Sequence, residues 1–212
     1  MYIDKQDIDR EDINIVVIDD EFVIREALNL LLESAGFNKV KTYDSAKTFL
    51  ENFDPERPAC LILDLHMPYM SGLELQNVLA ERCAAMPIIF ISGHADIPVS
   101  SQAFRAGAVD FFEKPFDNEA LLERINETVD KLLLNWPEAQ EKKQILERYG
   151  RLTEREQEVF MLIVHNHSTK EVAKILEISH RTIDTHRAHI MDKMQADSLN
   201  TLIIMAMTGG LI

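Results

Sequence analysis

The chain has 212 residues and a formal net charge of −14, which is long enough for two small domains that each bury a core. The charge is uneven, because residues 151–212 carry seven Lys/Arg and eight Asp/Glu and nearly all of the acidic excess therefore precedes them. This asymmetry predicts two domains with different partners. A secretory signal pattern is lacking, and no apolar run approaches the ~20 residues of a membrane span, so we expect a soluble, cytoplasmic protein with no membrane partner.

Strand and helix patterns alternate through residues 13–134. Short apolar runs bounded by turn residues predict strands, and segments with helical periodicity predict the helices that connect them. The predicted strands cover residues 13–18, 40–43, 60–63, 87–91 and 109–112. Five strands alternating with five helices predict an α/β domain with a doubly wound parallel sheet and right-handed crossovers. Residues 1–12 are read as a polar N-terminal tail.

The rest of the chain contains helix signals and no strand pattern. Trp136-Pro137 is predicted to end the last helix of the first domain, and the charged residues 135–150 suit a linker. Four helix-capping residues follow, the first two of them in capping boxes: Thr153, Ser168, Ser179 and Ser198. Residues 151–212 therefore predict an all-α domain of four helices. The residues expected to pack on its second helix are Val172, Ala173, Ile175 and Leu176.

Acidic, hydroxyl and basic residues follow four of the predicted strands. The first strand ends on Asp19 and Asp20, the third on Asp64, the fourth on Ser92 and the fifth on Lys114. Because the carboxyl ends of parallel strands meet at one edge of a sheet, these side chains are expected to converge. Three carboxylates repel one another and favour a hard cation such as Mg²⁺. A carboxylate nucleophile, a metal, a lysine and a hydroxyl predict a phosphoryl-acceptor site.

These motifs resemble those of a known family. Residues 13–134 resemble the receiver domain of two-component response regulators, and the resemblance implies a flavodoxin-like sheet with Asp64 as phosphoacceptor. The matching motifs are Asp19-Asp20, Asp64 with Met67-Pro68 and Ser71-Gly72, Ser92-Gly93, and Lys114-Pro115. It further implies that Asp20, Asp64 and the backbone carbonyl of His66 bind Mg²⁺ directly, while Asp19 acts mainly through water.

The same resemblance implies a conformational switch in the receiver. Ser92 is expected to turn toward the phosphoryl group, and Phe111 to turn inward behind it. Two phosphorylated receivers are then expected to pair through the face around helix four and strand five. The residues assigned to that dimer face are Val99, Ser101 and Arg105.

The third helix of the C-terminal part has one apolar face and one exposed face of mixed charge. Ile183, Ile190 and Met194 share the apolar face at 100° per residue, and Arg181 and Ala188 lie opposite them. A tight break at residues 177–179 precedes this helix, which fits a helix-turn-helix whose second helix enters the major groove. On periodicity alone, a small protein-binding bundle stays an alternative.

The C-terminal motifs resemble a LuxR-type helix-turn-helix. They are Leu152–Glu156, Thr169–Ala173, Arg181–Arg187, Lys193-Met194 and Ser198-Leu199. The whole chain resembles the NarL/FixJ group, closest to the FixJ type in Ile91-Ser92-Gly93-His94 and in residues 106–110. The resemblance implies DNA contacts by Thr169, Lys170, Arg181, Thr182, Asp184, Thr185, Arg187, Ala188 and Lys193. Of these, Asp184, Thr185 and Ala188 are expected to read bases, and Arg181, Arg187 and Lys193 to contact phosphates.

The resulting interpretation is a transcription regulator without enzymatic turnover, switched when a sensor histidine kinase phosphorylates Asp64. Its partners would be that kinase, promoter DNA, a second copy of the chain and RNA polymerase. One alternative is a phosphatase with an aspartate nucleophile and a helical accessory domain. The haloacid-dehalogenase pattern needs a second acid two residues after the nucleophile, and His66 stands there instead. A receiver with a protein-binding helical output is a further alternative.

Overall fold

The structure is a computed structural model that describes residues 9–54, 57–81, 86–93 and 97–212. Most of the predicted N-terminal tail lies outside these residues, and so does His94 of the FixJ-type motif. By its contacts the chain divides into two compact units, Met1–Pro137 and Glu138–Ile212. Within the described ranges, no helix combines the length and the apolar character needed to cross a membrane.

The first unit is built on a five-stranded parallel sheet with the order β2-β1-β3-β4-β5. Its strands are β1 Asn14–Ile18, β2 Val40–Tyr43, β3 Ala59–Asp64, β4 Ile88–Ser92 and β5 Asp110–Glu113. The connecting helices are α1 Phe22–Ser34, α2 Ala46–Asn52, α3 Gly72–Glu81 and α4 Ile97–Arg105, and α5 begins at Asn118. This strand order is the flavodoxin-like one, so the predicted fold class is confirmed.

Both faces of the sheet are covered, which explains why its central strands are apolar without interruption. Alternate strand residues point to opposite faces and form two core clusters. One cluster joins Ile15, Val17 and Ile62 to α1 and α5, and the other joins Val16, Leu61, Leu63 and Phe90 to α2, α3 and α4. The carboxyl ends of the strands are left as the open edge at which side chains from different strands meet.

Helix α5 runs from Asn118 to Gly150 with Pro137 inside it, so the predicted break at Trp136-Pro137 is wrong. An interior proline removes one backbone donor and crowds the carbonyl four residues before it, at a cost of about 3 kcal/mol. Apolar residues of α5 that are buried before and after the proline offset that cost. Trp136 is buried in the core of the first unit, and Ile145 is buried in the core of the second.

The second unit contains the four short helices that the sequence predicts: α6 Glu154–Val164, α7 Thr169–Ile175, α8 His180–Met194 and α9 Leu199–Gly209. Each begins after a hydroxyl residue whose side chain accepts a backbone N–H bond, and the capping boxes of Thr153 and Ser168 are both complete. Val172 and Ala173 pack in the core. Leu176 is partly buried against the same core, whereas Ile175, also predicted to pack, is 52% exposed.

Candidate functional site

Three of the predicted site residues meet at the carboxyl edge of the sheet. Asp19 follows β1 and is fully buried, and Asp64 ends β3 and is 4% exposed. Lys114 follows β5, and its Nζ lies 2.8 Å from Asp19 Oδ2 and 2.9 Å from Asp64 Oδ1. One ammonium group therefore bridges the carboxylates of two neighbouring strands.

Backbone groups fix both of these carboxylates. The N–H of Glu21 donates to Asp19 Oδ1 at 2.8 Å, and the N–H of His66 donates to Asp64 Oδ2 at 2.8 Å. The N–H of Lys114 donates to the carbonyl of Ser92 at 2.7 Å, which ties the lysine to the end of β4. The geometry is thus set by main-chain bonds at the ends of the strands, and the side chains need little reorganisation to act.

In this site the carboxylates of Asp19 and Asp64 share the ammonium group of Lys114. Burial raises the pKa of Asp64, Lys114 opposes that rise, and the nearby Asp19 carboxylate adds to it. Burial alone would lower the pKa of Lys114, but the hydrogen bonds and charges of Asp19 and Asp64 outweigh it, so the pKa of Lys114 is raised. The lysine is therefore held cationic, and the buried pair of acids keeps an excess negative charge that attracts a further cation.

The candidate metal ligands differ in exposure and in the hydrogen bonds that they accept. Asp20 is exposed, whereas Asp19 and Asp64 each accept one backbone bond and one bond from Lys114. Among the residues that the structure describes, no three His, Cys, Asp or Glu side chains form a group of metal-binding type. The donors are all hard oxygens, and a carboxylate has about four acceptor positions, so the chemistry of this set fits Mg²⁺.

The two predicted switch residues lie on β4 and β5, the strands that follow β3 in the sheet. Ser92 ends β4, is fully buried, and its Oγ is 3.2 Å from Nδ1 of the exposed His66. Phe111 in β5 is half-buried against Phe90, with ring centroids 6.5 Å apart. The side chain of His66 is thus engaged with the serine, a contact that the sequence analysis did not anticipate.

The predicted dimer face is only partly exposed. Ser101 and Arg105 are exposed, whereas Val99 is half-buried and packs against the core. Phe104, which the sequence analysis missed, is 48% exposed on the same helix. Ser101, Phe104 and Arg105 have the i, i+3, i+4 spacing of one helix face, and this spacing could have identified Phe104.

The exposed face of α8 carries the residues expected to read DNA. Ile183, Ile190 and Met194 are fully buried, as the periodicity predicts. The residues of α8 that are exposed include Arg181, Thr182, Asp184, Thr185 and Ala188, and Lys170 is exposed on α7. On this face Thr182 makes capping contacts with Ser179, and Thr185 Oγ1 donates to the carbonyl of Arg181.

Two of the residues predicted to contact phosphates instead bind side chains of the second unit. Arg187 donates to Thr169 Oγ1 at 3.3 Å. Lys193 Nζ lies 2.6 Å from Oε2 of Glu156, which is 3% exposed and also completes the Thr153 capping box. Burial alone would raise the pKa of Glu156, but the bonds from Lys193 and Thr153 lower it to about 2. Sequence reasoning missed this ion pair because its residues lie 37 positions apart.

Comparison with known proteins gives the same two parts. Residues 15–126 match the response regulator receiver domain family, and residues 151–206 match the luxR family of bacterial regulatory proteins. The chain is 40% identical to the response regulator protein TodT of Pseudomonas putida over 89% of its own length and 83% of the relative's. It is 39% identical to the transcriptional regulatory protein FixJ of Rhizobium meliloti, covering 94% and 97% of the two chains.

Solved structures of similar proteins extend over both units. The response regulator StyR is 39% identical with a TM-score of 0.64, and the alignment covers 92% of this chain and 98% of that one. Full-length FixJ from B. japonicum is 35% identical with a TM-score of 0.53, covering 94% and 98%. The chain belongs to the two-component response regulators that join a receiver domain to a LuxR-type DNA-binding domain, and it is a transcriptional regulator of that kind.

Proposed function

We propose that Asp64 accepts a phosphoryl group from a sensor histidine kinase and that this modification switches promoter binding. The observation that carries the proposal is the bridge from Lys114 Nζ to Asp19 and Asp64 in a buried, backbone-fixed site. A carboxylate oxygen of Asp64 attacks the phosphorus of a phosphohistidine. The P–N bond breaks, and the leaving imidazole takes up a proton.

The residues of this chain position and neutralise the reacting group. Lys114 already lies against one Asp64 oxygen, so its ammonium is placed to balance the negative charge of an incoming phosphoryl oxygen. Asp19, Asp20, Asp64 and the His66 carbonyl would hold Mg²⁺, which would supply charge neutralisation of the phosphoryl oxygens. Ser92, whose Oγ is 3.2 Å from His66 Nδ1, would contribute a hydroxyl donor after it turns away from that ring.

The first experiment measures phosphorylation by a small donor. Incubation with acetyl phosphate and Mg²⁺ should add one phosphoryl group to the wild-type chain, and Asp64→Asn should remove that mass increment. Asp117→Asn is a matched control, because Asp117 lies near the same edge and caps α5 through a side chain that Asn can replace. Equal intact-mass increments in Asp64→Asn and wild type would exclude Asp64 as the acceptor.

The kinase surface is proposed to include the exposed apolar residues of α1. Phe22, Val23 and Leu30 are 64%, 74% and 64% exposed, and α1 begins three residues after Asp19. A kinase helix that brings its phosphohistidine to Asp64 must approach this edge of the sheet, so apolar side chains beside it can supply the contact area. Val23→Asp should slow transfer from a cognate kinase while leaving acetyl phosphate labelling unchanged.

Phosphorylation is proposed to pair two chains through the face formed by Ser101, Phe104 and Arg105. The half-exposed Phe104 supplies apolar area that the serine does not. The phosphoryl group can shift the equilibrium only by its differential stabilisation of the active state, so a modest dimer affinity is expected. The paired second units would then bind two half-sites of promoter DNA and contact RNA polymerase, in the cytoplasm where the chromosome lies.

The exposed residues of α8 are proposed to read the major groove. Asp184 can accept a hydrogen bond from cytosine N4, and the short side chains of Thr185 and Ala188 can contact a thymine methyl group. Arg181 and Lys170 are exposed cations suited to phosphates. Selection of binding sites from random DNA, with and without phosphodonor, tests this assignment, because unphosphorylated protein should select the same sequence less efficiently.

A further inference from the structure

The side-chain amide of Gln76 is hydrogen-bonded on one side only. Gln76 lies on α3 and is 4% exposed, and its Nε2 donates to the carbonyl of Ala103 on α4 at 3.2 Å. In the part of the chain that the structure describes, its Oε1 is buried without a hydrogen-bond partner. A buried oxygen that has lost water without gaining a donor destabilises the arrangement that buries it.

The stability of the resting state does not explain a glutamine at this position. The carbonyl of Ala103 also accepts the backbone N–H of Ala108 at 3.0 Å, in the turn that ends α4. That oxygen would therefore keep a partner if Gln76 were replaced. An unbranched apolar side chain of the same length would fill the same space without an unpaired oxygen.

The location of the amide connects it to the proposed switch. Ala103 is fully buried, and the residues beside it in sequence, Phe104 and Arg105, belong to the proposed dimer face. Ala103 and Leu75 of α3 share a core cluster against which Phe111, the second proposed switch residue, packs. Gln76 thus contacts the helix that must be repositioned if phosphorylation is to change the dimer face.

We propose that Gln76 is a positioning residue for α4. Its unpaired Oε1 destabilises the resting placement of α4, and a movement of α4 that opens this oxygen to water relieves that penalty. Phosphorylation shifts the equilibrium only by its differential stabilisation of the active state. If the free-energy difference between the resting and active states is smaller, the same phosphoryl group therefore moves a larger fraction of molecules to the active state. This inference rests on the proposed function and names the residue that sets how readily phosphorylation of Asp64 becomes dimerisation.

The test compares Gln76→Met with wild type in the full chain, with Asn77→Met as the control on the exposed side of the same helix. Sedimentation velocity at equal phosphoryl occupancy, checked by intact mass, should show a dimer dissociation constant raised about tenfold for Gln76→Met only, since the resting state of that variant no longer carries the penalty of an unpaired oxygen. The unphosphorylated variant should melt at an equal or higher temperature than wild type. Hydrogen exchange of residues 97–105 should be slower in it.

The outcomes separate the inference from the proposed function. An unchanged dimer constant together with a lower melting temperature would mean that the amide is merely structural, and it would overturn the inference. If phosphorylated wild type itself stays monomeric, the proposed dimer step fails, and the exchange measurement alone decides on Gln76. Slower exchange of α4 in Gln76→Met then supports the inference, and equal or faster exchange overturns it.

Discussion

Replacing Lys193 by Met should destabilise the second unit, because it leaves the buried carboxylate of Glu156 without its cation. Lys193 lies in the last turn of α8, and Glu156 lies in the first turn of α6. The 2.6 Å pair therefore joins the end of α8 to the beginning of α6. Met has a similar length and keeps the apolar packing of the lysine stem, so the variant removes mainly the charge and its hydrogen bond.

The magnitude follows from the pKa of Glu156. It is about 2 in the folded chain and 4.5 ordinarily, and at about 1.4 kcal/mol for each pH unit this difference stabilises the fold by about 3 kcal/mol. Thr153 supplies part of that stabilisation, and the Lys193 side chain is 34% exposed, so water screens the pair. We therefore expect Lys193→Met to cost about 2 kcal/mol.

The pH dependence has a definite sign. Because the folded pKa of Glu156 is depressed, its contribution is fully present above about pH 4.5 and is lost as the pH falls toward about 2. Wild type should therefore lose stability in the second unit across that window. Lys193→Met, which lacks the main stabilising contact of the charged form, should lose less across the same window.

Hydrogen exchange of the α8 amides at neutral pH measures the effect locally, which matters because two units need not unfold together. A loss of about 2 kcal/mol should speed exchange of the most protected amides about 30-fold. Lys174→Met is the control, because Lys174 is exposed on α7. Unchanged protection in Lys193→Met, combined with a DNA-binding salt slope lowered by about one, would refute the reasoning and assign Lys193 to a phosphate contact.

Three further outcomes follow from the geometry. A Cβ at Gly72 would lie 2.5 Å from the backbone oxygen of Asp64, so Gly72→Ala should cost more than about 2 kcal/mol in urea unfolding, whereas Gly150→Ala, whose Cβ meets nothing, should not destabilise. Phe104→Ser should weaken phosphorylation-promoted dimerisation in sedimentation velocity by about tenfold without changing the labelling of Asp64, and a full-strength dimer would reject this face. Asp184→Ala should change the selected base at one position per half-site, and an unaltered selected sequence would show that Asp184 does not read bases.

The fold of the first unit could be predicted because its signals are local. The three central strands are short apolar runs that are followed by or end on a polar residue, and this pattern indicates both the sheet and the edge at which Asp19 and Asp64 meet. The strand bounds differ from the prediction by one residue at several ends, for example at Glu113, because hydrogen bonding to a neighbour decides where a strand stops.

The features that could not be predicted depend on partners distant in sequence. A proline ends a helix unless packing on both sides compensates, and the burial of Trp136 and Ile145 is not visible from their immediate neighbours. The pairing of Lys193 with Glu156 is equally remote, so the lysine looked like a free cation. Only the packed structure reveals that the amide of Gln76 lies between two helices.

The order of the strands has a consequence for how the receiver forms. The sheet is entirely parallel, so each of its pairings joins segments far apart in sequence, and such contacts form slowly. β5 is the last strand to be synthesised and pairs only with β4, yet the residue that follows it, Lys114, supplies the ammonium between Asp19 and Asp64. A nascent chain that ends before residue 114 therefore presents two mutually repelling acids and cannot complete the proposed phosphoacceptor site. Docking of the final strand brings the Lys114 ammonium between the two acids and relieves that repulsion, so the proposed site is completed by the same event that closes the domain.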